Sequence, residues 1–149
     1  MARYQFQLET LRKLRQRHRD ERSLKLAEAF RAEQILADRR SEIDQEIVEL
    51  RSHQRGIVES GNMNTTQLLE SQRYQASLES QLQVMSQQAS TLNEEIERRR
   101  EALVEADREV RVLDKLDERR HGEHRLERQR DEAKVLDEIG LRRHGGAFS

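Results

Sequence analysis

From Leu78 the chain can be stepped by four residues and then three, landing on Leu82, Met85, Ala89, Leu92, Ile96, Arg99, Leu103, Ala106, Val110 and Leu113. Ten of these eleven residues are apolar. Only a long α-helix brings such a spacing onto one stripe. A stripe that narrow is an a/d seam, which a second helix must cover. The same steps continued past Leu113 meet Asp117, Arg120, His124, Glu127, Asp131, Lys134 and Glu138, none of them apolar.

Composition decides between helix and disorder for the rest. Of the 149 residues, 34% are hydrophobic and 38% charged, with no Trp. That is too polar for a compact core, since ordinary domains are about 25% charged. Leu, Glu, Arg, Gln and Ala dominate, and all favour helix. With no Pro anywhere, nothing forces a break. The fold class is therefore all-α: two long helices forming an antiparallel coiled-coil hairpin.

The hairpin turn is placed at residues 60–65, where Ser60-Gly61-Asn62-Met63-Asn64-Thr65 carries the only interior turn chemistry. Asn64 is positioned as an N-cap, with Gln67 at capping-box distance. Helix 1 is predicted over about residues 3–59 and helix 2 over about 66–140. Residues 141–149, with Gly145 and Gly146, are read as a frayed tail, and the whole chain 1–149 as one hairpin.

Helix 1 shows Leu36, Ile43, Leu50 and Ile57 at seven-residue spacing, with Ile47 between. An earlier stripe of Leu8, Leu11, Leu14, Leu26, Ala29 and Phe30 drifts in register, interrupted by Arg22, Glu33, Arg40 and Gln54. In a hairpin turning at 60–65, the numbers of facing residues add to about 125. Ile43 then faces Leu82, Leu36 faces Ala89, and Leu14 and Leu11 face Val110 and Leu113. Helix 2 outruns helix 1, so residues beyond about 117 form an overhang of single helix. There Ala133, Val135, Leu136 and Ile139 follow a charged run, forming a candidate docking patch.

The formal net charge of -1 argues against nucleic-acid binding. The absence of Cys leaves no disulfide or thiolate chemistry and fits a reducing compartment. No apolar run reaches the ~20 residues of a membrane span, and MARYQFQLETL does not read as a signal peptide. These features together read as a soluble cytoplasmic protein. No phosphate loop, nucleophile elbow or HExxH motif is present, so the chain is expected not to be an enzyme and to need no cofactor.

Several side chains leave two readings open. His121 and His124 share a helix face and would hold a metal only with a third ligand; two solvated histidines is the plainer reading. Arg99 either pairs with an acid on helix 1 or snorkels outward. Arg98–Arg100, Arg119-Arg120 and Arg142-Arg143 either bind acidic partners or form a solvated face. Tyr74 either fills the seam edge or marks an interface. Tyr4 and Phe6 either staple the start of helix 1 or form part of a docking end.

Three segments carry a family resemblance. "FQLETLRKLR" at Phe6–Arg15 resembles the N-terminal signature of the FliJ family of flagellar type III export proteins. "REVRVLDKLDERR" at Arg108–Arg120 is similar to the family's stretch after the second seam. "EAKVLDEIG" at Glu132–Gly140 resembles its C-terminal Leu/Met-Asp-Glu box, with Gly140 in place of a closing Ala. The resemblance implies a cytoplasmic part of the export apparatus, associated peripherally with the inner face of the cell membrane at the flagellar base. It also implies a role in motility and chemotaxis, and a coiled coil similar to the central stalk of rotary ATPases. The end with both termini would enter the ring of the flagellar export ATPase through Arg120, Leu126, Arg130, Ala133, Val135, Leu136, Asp137, Glu138 and Ile139. A second surface, at Ile43, Leu50, Tyr74 and Leu78, would meet the export gate membrane protein, and export chaperones would be further partners. No nucleic acid and no direct membrane insertion are expected.

Other readings stand beside this one. They are a structural coiled-coil spacer or homo-oligomeric bundle, the injectisome counterpart of FliJ, and the stalk of a vacuolar-type rotary ATPase. The last normally needs a larger chain.

Overall fold

The computed structural model describes residues 5–61 and 64–147. It contains two long helices packed against each other as an all-α hairpin. Helix α1 spans Glu9–Glu59 and helix α2 spans Thr65–Ala147. Both exceed or fall short of the sequence expectation at their outer ends. Residues 5–8 precede α1 as irregular chain and a turn, so the helix starts at Glu9 and not near residue 3. At the other end α2 runs through Gly140 and Gly145-Gly146, where a tail was expected. Each helical Gly costs about 1 kcal/mol relative to Ala. The basic Arg142, Arg143 and His144 near the carboxyl end favour helix there by interacting with its dipole.

The turn chemistry behaves as read. Gly61 adopts a positive φ of 72°, the left-handed conformation that closes helix C-termini. Just before it the Ser60 amide donates to the Gly56 carbonyl at 3.1 Å, and the Ser60 hydroxyl donates to the Ile57 carbonyl at 2.9 Å. Asn64 caps α2: its Oδ1 accepts the amides of Thr66 and Gln67 at 3.1 and 3.3 Å.

The chain packs as two units. A central unit comprises residues 21–103, and a terminal unit comprises residues 1–20 with 104–149. In the central unit the α1 seam passes through Leu26, Ala29, Leu36, Ile43, Ile47, Leu50 and Ile57, all buried or half-buried. The α2 seam passes through Leu68, Ser71, Gln75, Leu78, Leu82, Met85, Ala89, Leu92, Ile96, Arg99 and Leu103. Ile43, Ile47 and Leu78 form the core, with Leu50, Leu82 and Met85 packed on it. One polar layer crosses the seam near the turn: Gln54 donates to Ser71 Oγ at 3.0 Å and to Gln75 Oε1 at 3.1 Å. These partner numbers bear out a pairing sum of about 125.

Polar seam residues find partners on both helices. Arg99 takes neither of its two anticipated courses. Its Nη1 donates to the Lys25 backbone carbonyl on α1, while its Nε pairs with Glu95 on its own helix at 2.8 Å. Phe30, expected in the stripe, is 42% exposed and lies under the Arg100 guanidinium, 5.9 Å from ring centre.

In the terminal unit Ala106, Val110 and Leu113 are buried on α2. Leu11 and Leu14, expected to face them, are not buried. Leu14 is 60% exposed and Leu11 37%. Four-three steps backward from the central seam of α1 land on Arg19, Arg15, Arg12 and Leu8, all half-buried. The apparent drift of the apolar stripe was a change of residue type at an unchanged register. Arginine stems are long enough to shield apolar residues, and the heads of these three reach acids on α2.

Candidate functional site

Residues of the terminal unit fall into two zones. The first is the arginine–acid seam. Arg12 Nη1 donates to Asp117 at 2.6 Å and lies 3.7 Å from Asp114. Arg15 reaches Glu109 at 3.2 Å, and Arg19 reaches Asp107 at 4.0 Å. The hydrogen bond to Asp117 is the main reason the Arg12 pKa rises; burial opposes it, and the charges of Glu9 and Asp117 add to it. Phe6 closes this zone, with the guanidinium groups of Arg12 and Arg120 at 5.2 and 6.0 Å from its ring centre. This places Phe6 in a cation–π clamp at the start of α1; Tyr4 lies outside the described residues.

The second zone is α2 beyond His124, the last half-buried residue of the seam register. Every residue from 125 to 139 is exposed. At ~1.5 Å per residue the stretch from Arg125 to His144 runs about 30 Å. Leu126 and Val135 are 54% exposed, Leu136 67% and Ile139 45%. Val135 and Ile139 are four apart and Leu136 and Ile139 three apart, so the three share one arc of the helix. Ala133, Arg130, Asp137 and Glu138 are likewise exposed, and Arg120 is half-buried against Phe6. No four-three path through this stretch stays apolar, so it offers isolated anchors and not a further coiled-coil seam.

The other predicted surface lies in the central unit and divides differently. Ile43 and Leu78 are 0% and 1% exposed, and Leu50 is half-buried against them. Ile43 and Leu78 are therefore core residues and offer no surface to a partner, and Leu50 only borders the hollow beside Tyr74. Tyr74 is the outward member: it is 51% exposed, and its hydroxyl donates to Glu46 Oε2 at 3.1 Å. That hydrogen bond, with the charge of Glu46 behind it, pushes the phenol pKa above its ordinary value. Glu46, Glu49, Leu50 and His53 border a shallow hollow beside the ring. A groove further along the unit, lined by Ala32, Ile35, Leu36, Val84 and Leu92 together with polar residues that include Arg39, Glu95 and Arg98, lies outside the predicted sites. Its signal was present: Ile35 and Val84 each directly precede a seam residue, which places them on the same flank of the pair.

The remaining candidates resolve simply. Arg98 and Arg100 pair with Glu95 and Glu97 one turn away, and Arg119 with Glu123, as on a solvated helix face. Among the described residues no group of three or more His, Cys, Asp or Glu is placed to hold a metal ion. No described helix is long and apolar enough to cross a membrane.

The described residues form an all-α helical hairpin whose longer helix carries exposed apolar side chains beyond His124. The chain belongs to the FliJ family: the family described as Flagellar FliJ protein matches residues 4–147, nearly its whole length. It is accordingly a non-enzymatic component related to flagellar export. No curated protein and no solved structure matches it.

Proposed function

We propose that the chain is a stalk-like export component that docks into the ring of the flagellar export ATPase through the exposed end of α2, with Leu126, Val135, Leu136 and Ile139 as anchors. One observation carries this reading: fifteen consecutive helical residues, 125–139, are all exposed, yet they include four sizeable apolar side chains. An isolated helix of this polarity is marginal in water, and a solvated tail needs no such anchors. Arg120, Arg130, Ala133, Asp137 and Glu138 would frame the anchors with salt-sensitive contacts, each weak alone. Weak, numerous contacts suit a helix that shifts among equivalent ring positions and couples subunit assembly to nucleotide state.

In the same reading the surface at Tyr74, with Leu50 bordering the hollow beside it and Ile43 and Leu78 in the core of that unit, meets the export gate protein, and export chaperones are escorted along the coil. The working place is then the cytoplasm, at the inner face of the membrane under the flagellar base. The test uses the full chain and two variants, a truncation after His124 and Leu136→Asp with Ile139→Asp. ATP hydrolysis and ring assembly of the export ATPase are measured with each. The full chain should stimulate both and the variants should not; equal stimulation by all three would defeat the proposal.

A further inference from the structure

The two units are sealed by different forces. In the central unit Ile43, Ile47 and Leu78 face each other across an apolar seam. In the terminal unit the same register positions of α1 hold Arg12, Arg15 and Arg19, which reach across to Asp117, Glu109 and, at 4.0 Å, Asp107, while Arg12 and Arg19 also pair with Glu9 and Asp20 on their own helix. The side chains of these arginines are 21%, 43% and 34% exposed, so water and salt reach every pair. On α2 in the same unit lie Ala106, Val110 and Leu113, 2%, 1% and 8% exposed, and arginine stems are long enough to shield such apolar side chains.

We propose that the first three turns of α1 are a salt-labile clasp: they detach from α2 as a local unit and uncover Ala106, Val110 and Leu113, while the central unit stays closed. Exposed ion pairs hold a helix weakly and are screened as salt rises. Apolar contacts do not weaken with salt and often strengthen. The two units therefore respond to one variable in opposite directions. Local opening of this kind needs only that its free energy lie below that of global unfolding. A partner with carboxylates on its surface would act as added salt does, by competing for the three guanidinium groups. The device concerns α1 and the seam, whereas the docking anchors are exposed residues of α2 beyond His124; Arg120, stacked on Phe6, belongs to both.

The test is amide hydrogen exchange on the full chain between 0.1 and 1 M NaCl, where the Debye length falls from about 10 to 3 Å. Amides of residues 9–20 and 106–117 should exchange on the order of tenfold faster at high salt, those of residues 43–57 and 71–85 no faster. Equal acceleration in both units, or none in the terminal one, would overturn the proposal. A second variant removes the charges and keeps most of the stems: Arg12→Gln, Arg15→Gln and Arg19→Gln together. Its terminal amides should exchange fast already at 0.1 M and ignore salt. Slow exchange there, or an undiminished salt response, would equally overturn it.

Discussion

Two isoleucines on the same helix provide the sharpest test of the register. Ile43 is fully buried and Ile35 is 71% exposed, although both lie in one continuous stretch of α1. Replacing each with Ala removes three carbons and improves helix propensity equally, by about 0.4 kcal/mol. For Ile43 the transfer loss is about 2.4 kcal/mol at ~0.8 per methylene, and the cavity against Leu78 adds a little more. Ile43→Ala should therefore destabilise by about 2–3 kcal/mol. For Ile35 less than a third of that transfer loss applies, about 0.7 kcal/mol, and propensity offsets half of it. Ile35→Ala should fall within about 0.5 kcal/mol of the parent. Urea unfolding followed by circular dichroism at 222 nm reads both. With a slope of about 1.5 kcal/mol/M, Ile43→Ala should lower the midpoint by about 1–2 M and leave the slope unchanged. Equal midpoints for the two variants would show that the seam does not pass where these residues place it.

Other perturbations have equally definite outcomes. Gly61→Ala should destabilise by about 1 kcal/mol in the same urea assay, because its φ of +72° is strained for any residue with a Cβ, whatever the free space around it. Gly140→Ala meets nothing within 4 Å and should raise helicity near the carboxyl end by removing about 1 kcal/mol of helix penalty, seen in carbon chemical shifts. In a Tyr4→Phe background, tyrosinate absorbance should show Tyr74 ionising above the usual range. The hydrogen bond to Glu46 favours the neutral phenol, so its contribution is complete below the ordinary pKa and is lost as pH rises through the raised one; Glu46→Gln should bring the titration back down. Glu95 is held below its ordinary value of 4.5 by hydrogen bonds from Arg98 and Arg99. Its contribution is present above pH 4.5 and lost as pH falls through the lowered value, so the Glu95 carboxyl resonance should titrate late in acid, and earlier in Arg98→Gln.

Much of the candidate site was legible early, for a simple reason. Periodicity places Leu126, Val135, Leu136 and Ile139 past the apolar seam, but it starts the overhang near residue 117, whereas Arg120 and His124 are still half-buried and the exposed stretch begins at residue 125. The second surface was less legible. Ile43, Leu50 and Leu78 have the apolar character of anchors, but the same character fills seams, and periodicity places them inside. Tyr74 could not be assigned from spacing alone, since its hydrogen bond to Glu46 joins residues 28 apart on different helices.

Read alone, the chain determined that it would be helical, that it would double back near Gly61, and which face of α2 would be buried. Helix propensity, turn chemistry and a seven-residue repeat are local properties, and here they agree. Only the tertiary structure decided what α1 presents to that face in its first turns. Judged by residue type, Leu11 and Leu14 were the natural choice, and Arg12, Arg15 and Arg19 were not. A continuous helix cannot rotate one segment to suit its side chains, so the register established by Ile43 and Ile47 carries the arginines into the seam. Their long apolar stems, and acids within reach on α2, make that outcome tolerable.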